Sequence, residues 1–163
     1  MDQQKVFRHP SEPGPSISLG GYLAERLLRA GCQTVFAVPG DFTLALLDEL
    51  LRSQRLAVVG TCNELDAGYA ADGYSRASGG LGCAVVTYMV GGLSLLSAVA
   101  GAAAEAVSLL VVSGAPRHRD LVEGRLLHHC CGSPEVRQSE RCFRPIVRDT
   151  FIVRDLVHAP AMC

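Results

Sequence analysis

Short apolar runs alternate with stretches of helical periodicity four times within about a hundred residues. That alternation limits what this chain can fold into. Residues 34–38, 56–62, 82–88 and 108–113 read as strands. A first helix starts at a cap on Ser16 or Ser18, carries Leu19, Leu23 and Leu27, and closes at Gly31. Leucines at 44, 47 and 51 mark a second helix over 44–52. A third spans 63–78, with Leu65, Tyr69 and Gly73 at helical spacing, and a fourth, rich in small residues, spans 91–106. The connections are short and the strands are apolar on both faces. Strands of that kind belong to a parallel sheet flanked by helices on both faces, an α/β fold.

The chain has 163 residues, 48% of them hydrophobic and 19% charged, enough for one packed domain. Residues 1–15 are polar and read as a flexible tail, leaving 16–163 as the domain. Beyond Arg117 the sheet pattern fades, although 151–153 has the composition of a weak strand. The final residues, 158–163, resemble a helix start.

Several function classes are disfavoured. The formal net charge is -1, and aromatic residues are only 6% without tryptophan, so neither a basic surface nor a stacking platform for nucleic acid is expected. Residues 94–115 are long and apolar enough to suggest a membrane span, but Glu105 interrupts them. Their texture also changes from Ala/Gly-rich to β-branched, so a buried helix followed by a buried strand is expected. Seven cysteines, an odd number with no zinc or thioredoxin spacing, suit a reducing, cytoplasmic setting better than a disulfide framework.

In a parallel sheet, ligands bind outside the carboxyl ends of the strands. Three loops there carry chemistry-bearing residues. Asp41 follows Pro39-Gly40; by pattern alone it is an N-cap for the second helix. Glu64 opens the third helix. It reads equally as a helix-end charge or as a carboxyl group held in an apolar setting for acid–base work. His128 and His129 follow Leu126-Leu127. Adjacent histidines do not share a helix face, and with Cys130-Cys131 they match no familiar zinc pattern, so no metal site is expected.

The segments GYLAERLLRAGCQTVFAVPGDFTLALLDELL, NELDAGYAADGYSRASG and LLHHCCG, in that order, resemble the amino-terminal part of 2-oxo acid decarboxylases of the pyruvate decarboxylase type. The likeness runs over about residues 17–153. The glutamate block is shared with other thiamine diphosphate enzymes, whereas Pro-Gly-Asp-Phe together with Leu-His-His narrows the match. Indolepyruvate and phenylpyruvate decarboxylases remain close alternatives.

The resemblance implies a pyrimidine-binding domain for thiamine diphosphate. Glu64 corresponds to the glutamate that hydrogen-bonds a pyrimidine ring nitrogen, with Gly40 and Gly91 also beside the cofactor. Asp41, His128 and His129 correspond to residues that relay protons after decarboxylation. The implied reaction is non-oxidative decarboxylation of a small 2-oxo acid, pyruvate to acetaldehyde and carbon dioxide, in a homo-oligomer (dimer or tetramer). Mg2+ and the diphosphate would be bound by a domain absent from this chain. The pyrimidine domain would itself lack its last helix and strand, leaving a sheet edge uncovered and 1–163 inactive alone. The other reading is a short non-catalytic homologue that binds and modulates a complete decarboxylase.

Three positions depart from the family pattern. Met89 stands in place of a glycine, Gly92 in place of a glutamate, and Cys130 in place of a common threonine. A methionine at 89 is expected to crowd a backbone approach.

Overall fold

A computed structural model describes residues 17–132, 135 and 137–154. The 1–15 tail, the alternative cap Ser16 and the helix-like ending at 158–163 lie outside them. The elements are α1 (Leu19–Arg29), β1 (Thr34–Ala37), α2 (Leu44–Leu51), β2 (Ala57–Gly60), α3 (Glu64–Ser78), β3 (Gly82–Val86), α4 (Val90–Ala104), β4 (Leu109–Ser113), α5 (His118–Val122) and α6 (Gln138–Phe143). All four strands are parallel, in the order β2-β1-β3-β4. The four expected strands between residues 34 and 113 and the four expected helices form, and several end a residue or two early. The apolar stretch 94–115 divides into α4 and β4. Among the described residues no helix is long and apolar enough to cross a membrane.

The strand periodicity distributes side chains to two helical layers. Val35 and Ala37 of β1 and Cys83 and Val85 of β3 pack against Ala24 and Leu27 of α1 and Leu47 and Leu50 of α2. On the opposite face, Ala84 of β3 meets Ala67 and Ala71 of α3, and Val86 meets Leu95 and Val99 of α4. Every residue of β3 is buried, as befits the strand between two others under helices on both sides. Cys32 and Cys83 are fully buried and behave as small apolar residues. They perturb each other: Cys83 holds the Cys32 thiol below its usual range, and the contact with Cys32, then burial, pushes Cys83 up.

Helix ends follow the sequence signals. Ser18 caps α1 by accepting a 3.0 Å hydrogen bond from the Gly21 amide, and Gly31 turns the chain out at φ 80°. Asn63 caps α3, accepting from the Asp66 amide at 2.9 Å.

Helix α3 turns a face of small residues inward. Leu65, Tyr69 and Gly73 are not its buried stripe; Tyr69 and Gly73 are exposed, and Ala67, Gly68, Ala71 and Ser75 are buried. Close approach of backbones is the cause. A Cβ on Gly68 would sit 2.7 Å from Ala98 Cβ of α4, and one on Gly82 would sit 2.1 Å from the Ala71 carbonyl oxygen. Only small residues fit such a crossing, so size rather than hydrophobicity selects the face.

The expected strand at 151–153 does not form; residues 151–154 have no regular structure and pair with no strand. β-propensity acts only where a neighbouring strand supplies ladder and packing partners. Instead, α6 folds back and buries Phe143 with Val86, Leu95 and Val99, flanked by Ile146 and Val147.

Candidate active site

The chain runs from β1 outward to β2, then returns past β1 to β3, so connections leave β1 and β3 in opposite directions. Such a switch point opens a crevice at the carboxyl ends of the two strands. The loops leaving those ends are Val38 to Phe42 and Thr87 to Met89. They touch closely: a Cβ on Gly40 would stand 2.6 Å from both Cβ and Oγ1 of Thr87. Gly40 is the residue that permits this approach. Its carbonyl accepts from the amide and hydroxyl of Thr43, at 2.8 and 3.0 Å, forming a tight turn.

That turn sends Asp41 outward. Residue Thr43, not Asp41, occupies the N-cap of α2. The Asp41 carboxylate instead lies 3.5 Å from His128 Nε2, although the two residues are far apart in sequence. Both side chains are open to solvent, Asp41 at 77% and His128 at 52% exposure. The structure therefore replaces the local capping role with a long-range pairing.

The histidines sit in a turn closed by the Cys130 amide donating to the Leu127 carbonyl at 3.2 Å. His129, the third residue of that turn, adopts φ 68°. A left-handed conformation at that position normally calls for Gly or Asn. An aromatic group surrounds the pair. The Phe42 ring stacks on His128 at 4.6 Å and 22°, and meets Tyr88 edge-on at 5.6 Å. His128 and His129 lie 4.7 Å apart, edge to face. Tyr88 is almost wholly buried, and its hydroxyl has no hydrogen-bond partner among the described residues. Burial, and then the proximity of Cys130, Cys131 and Glu135, pushes the Tyr88 phenol above its usual range.

Glu64 is half-buried in the first turn of α3. Because Asn63 does the capping, the Glu64 carboxylate is free to face α4. Its Oε1 lies 3.3 Å from where a Cβ on Gly91 would stand, and Thr87 Cγ2 lies 3.0 Å from the same point. Thr87 thus adjoins both groups: Gly40 beside Asp41 on one side, Gly91 beside Glu64 on the other. Its hydroxyl is buried and lacks a partner among the described residues. The sequence alone assigned no role to Thr87 or Tyr88. A signal was present, since two hydroxyl-bearing residues directly follow the apolar, buried β3.

The altered loop has a physical explanation. Met89 takes φ 48° and ψ -75°, a conformation suited to glycine, and its side chain is buried. Its thioether accepts a 3.3 Å hydrogen bond from Ser139 of α6. At Gly92 a Cβ would be 3.0 Å from the Phe143 ring, so α6 occupies the space a glutamate side chain would need. Among the described residues, no group of three or more His, Cys, Asp or Glu is placed to hold a metal ion.

Residues 17–135 match the family model described as thiamine pyrophosphate enzyme, N-terminal TPP binding domain. Pyruvate decarboxylase 3 of Oryza sativa subsp. indica is 50% identical over 139 residues, which is 85% of this chain and 24% of that protein. Pyruvate decarboxylase 2 of Arabidopsis thaliana is 48% identical over 142 residues, 87% of this chain and 23% of that protein. Pyruvate decarboxylase 2 of Nicotiana tabacum is 49% identical over 139 residues, 85% of this chain and 22% of that protein. The chain thus spans about a quarter of the length of the curated relatives it matches. The matched residues are those that build the β1–β3 crevice, and the chain belongs to the thiamine pyrophosphate enzymes, as a pyruvate decarboxylase-like N-terminal TPP-binding domain.

Proposed function

We propose that this chain supplies the pyrimidine-side half of a thiamine diphosphate site for the decarboxylation of pyruvate to acetaldehyde and carbon dioxide. The observation that carries this reading is the arrangement about Thr87, which adjoins Glu64 through Gly91 and the Asp41 turn through Gly40. An aminopyrimidine ring needs hydrogen-bonding groups and close backbone approach. A half-buried carboxylate, a buried hydroxyl without a partner among the described residues, and two glycines meet that need.

Bound thiamine diphosphate supplies the nucleophilic carbon and the electron sink that protein side chains lack. Glu64 holds the ring by hydrogen-bonding its nitrogen, and Thr87 offers its hydroxyl from the floor. Gly40 and Gly91 keep the floor free of side chains. His128 and Asp41 move a proton between Nε2 and Oδ2; at 3.5 Å the transfer needs a small closure. His129 extends that relay, beside the aromatic group of Phe42 and Tyr88. Mg2+ and the diphosphate are held by a domain other than this one, contributed by a second copy in a cytoplasmic homo-oligomer. The domain extends over 16–163.

The test begins with the mass of the native polypeptide, followed through a peptide covering residues 63–76. The isolated species is then assayed for acetaldehyde with pyruvate, thiamine diphosphate and Mg2+. Turnover that is lost in Glu64→Gln supports the reading. Binding of this chain to a complete decarboxylase, with no turnover contributed by this chain, favours the modulating homologue. Near-normal turnover in Glu64→Gln removes Glu64 from the mechanism.

A further inference from the structure

His128 sits on a stretch that contains no strand, in a turn held by its own backbone hydrogen bond and by Gln138 donating to the Cys131 carbonyl at 2.9 Å. Neither contact sets the direction of the His128 ring. Among the described residues, the ring lying nearly parallel against it is Phe42, at 4.6 Å and 22°. Phe42 is itself anchored by the sheet. A Cβ on Gly114, at the end of β4, would meet the Phe42 carbonyl oxygen at 2.7 Å and its Cβ at 2.8 Å. Gly114 is in turn tied to β3 by its amide donating to the Val86 carbonyl at 3.0 Å. From below, the buried Tyr88 ring meets Phe42 edge-on. Phe42 therefore joins the ends of β1, β3 and β4 to a histidine that would otherwise follow a surface loop.

We propose that Phe42 is a positioning residue: it transmits the rigidity of the sheet to the His128 imidazole and keeps Nε2 facing Asp41. The inference deepens the decarboxylase reading and rests on it for its catalytic consequence, but the ring geometry stands separately. Side chains held by a rigid scaffold are the ones that keep reacting groups aligned, and a misplacement of about 1 Å can cost about 100-fold in rate. A ring stack is well suited to this, because it restrains tilt without occupying either imidazole nitrogen.

Two measurements test it. In NMR spectra of the 163-residue protein, the unsubstituted chain shows ring-to-ring contacts between Phe42 and His128 and a ring-current shift of the His128 imidazole protons. Phe42→Tyr keeps both, while Phe42→Leu loses both, and the resonance change that Asp41→Asn causes at His128 disappears with them. Absence of the ring contact in the unsubstituted chain overturns the proposal, and that arm needs no substituted protein to fold. Persistence of the Asp41 response in Phe42→Leu overturns it equally.

In the native species that turns over pyruvate, Phe42→Leu lowers kcat by up to about 100-fold with KM little changed, and Phe42→Tyr restores it. In a His128→Gln background Phe42→Leu has no further effect. A further loss in that background overturns positioning through His128. A native species without turnover counts against the decarboxylase reading alone, and the NMR signatures then decide the role of Phe42.

Discussion

Glu64 Oε1 at the start of α3 and Gly91 at the start of α4 face each other, with 3.3 Å between the oxygen and the place a Cβ at residue 91 would take. The same Cβ would stand 3.0 Å from Thr87 Cγ2 and 3.4 Å from Val86 Cβ. Gly91→Ala therefore acts on the site more than on the fold. Replacing a helical glycine contributes about 0.5–1 kcal/mol of stability, and the tight contacts cost about 1–3 kcal/mol. The net change in unfolding free energy is small and unfavourable. Thiamine diphosphate binding, followed by calorimetry, falls by tenfold or more, since about 1.4 kcal/mol is a factor of ten. Unchanged affinity would mean that the ring does not approach Gly91.

Restoring the family glutamate at position 92 is expected to harm this chain. Gly92→Glu places its Cβ 3.0 Å from the Phe143 ring. Overpacking costs about 1–3 kcal/mol. Denaturant unfolding should show that loss, and Phe143→Ala should make the glutamate tolerable, giving a non-additive pair.

Met89 sets two effects against each other. Its backbone at φ 48°, ψ -75° costs about 1–3 kcal/mol, which glycine would relieve. Its buried side chain, truncated, costs about 2–5 kcal/mol. The packing loss is the larger, so Met89→Gly lowers the melting temperature. A rise would show that the contact with Ser139 contributes little.

Tyr88 imposes an alkaline limit. Its folded-state pKa is raised, by burial first, from a reference value of 10.0. The folded state thus retains a proton that the unfolded chain releases. Stability from this group is fully present below about pH 10 and is lost as pH rises through the folded value. Tyr88→Phe removes that part of the alkaline fall. At neutral pH it is close to neutral in stability, because the buried hydroxyl it deletes has no described partner. Parallel unfolding curves at neutral pH and above pH 10 check both statements.

What the sequence determined by itself was local. Apolar runs and capping residues placed all four strands and the four long helices, because periodicity and caps act within one turn or one strand. The loops leaving the expected strand ends, together with the resemblance, named Glu64, Asp41, His128 and His129 as candidates. Tertiary structure decided what depends on distant contacts. The buried face of α3 follows from how closely Gly68 meets Ala98 and Gly82 meets the α3 backbone, which hydropathy does not encode. The stretch 151–153 has strand composition but no neighbouring strand, while Phe143 finds a pocket on α4 and so anchors a helix in a polar region. Asp41 has the local pattern of a cap, yet the turn about Gly40 carries it to His128. Pairings of that kind arise only when the β1 and β3 ends, α6 and the histidine turn are assembled together, since each supplies a contact the others cannot make alone.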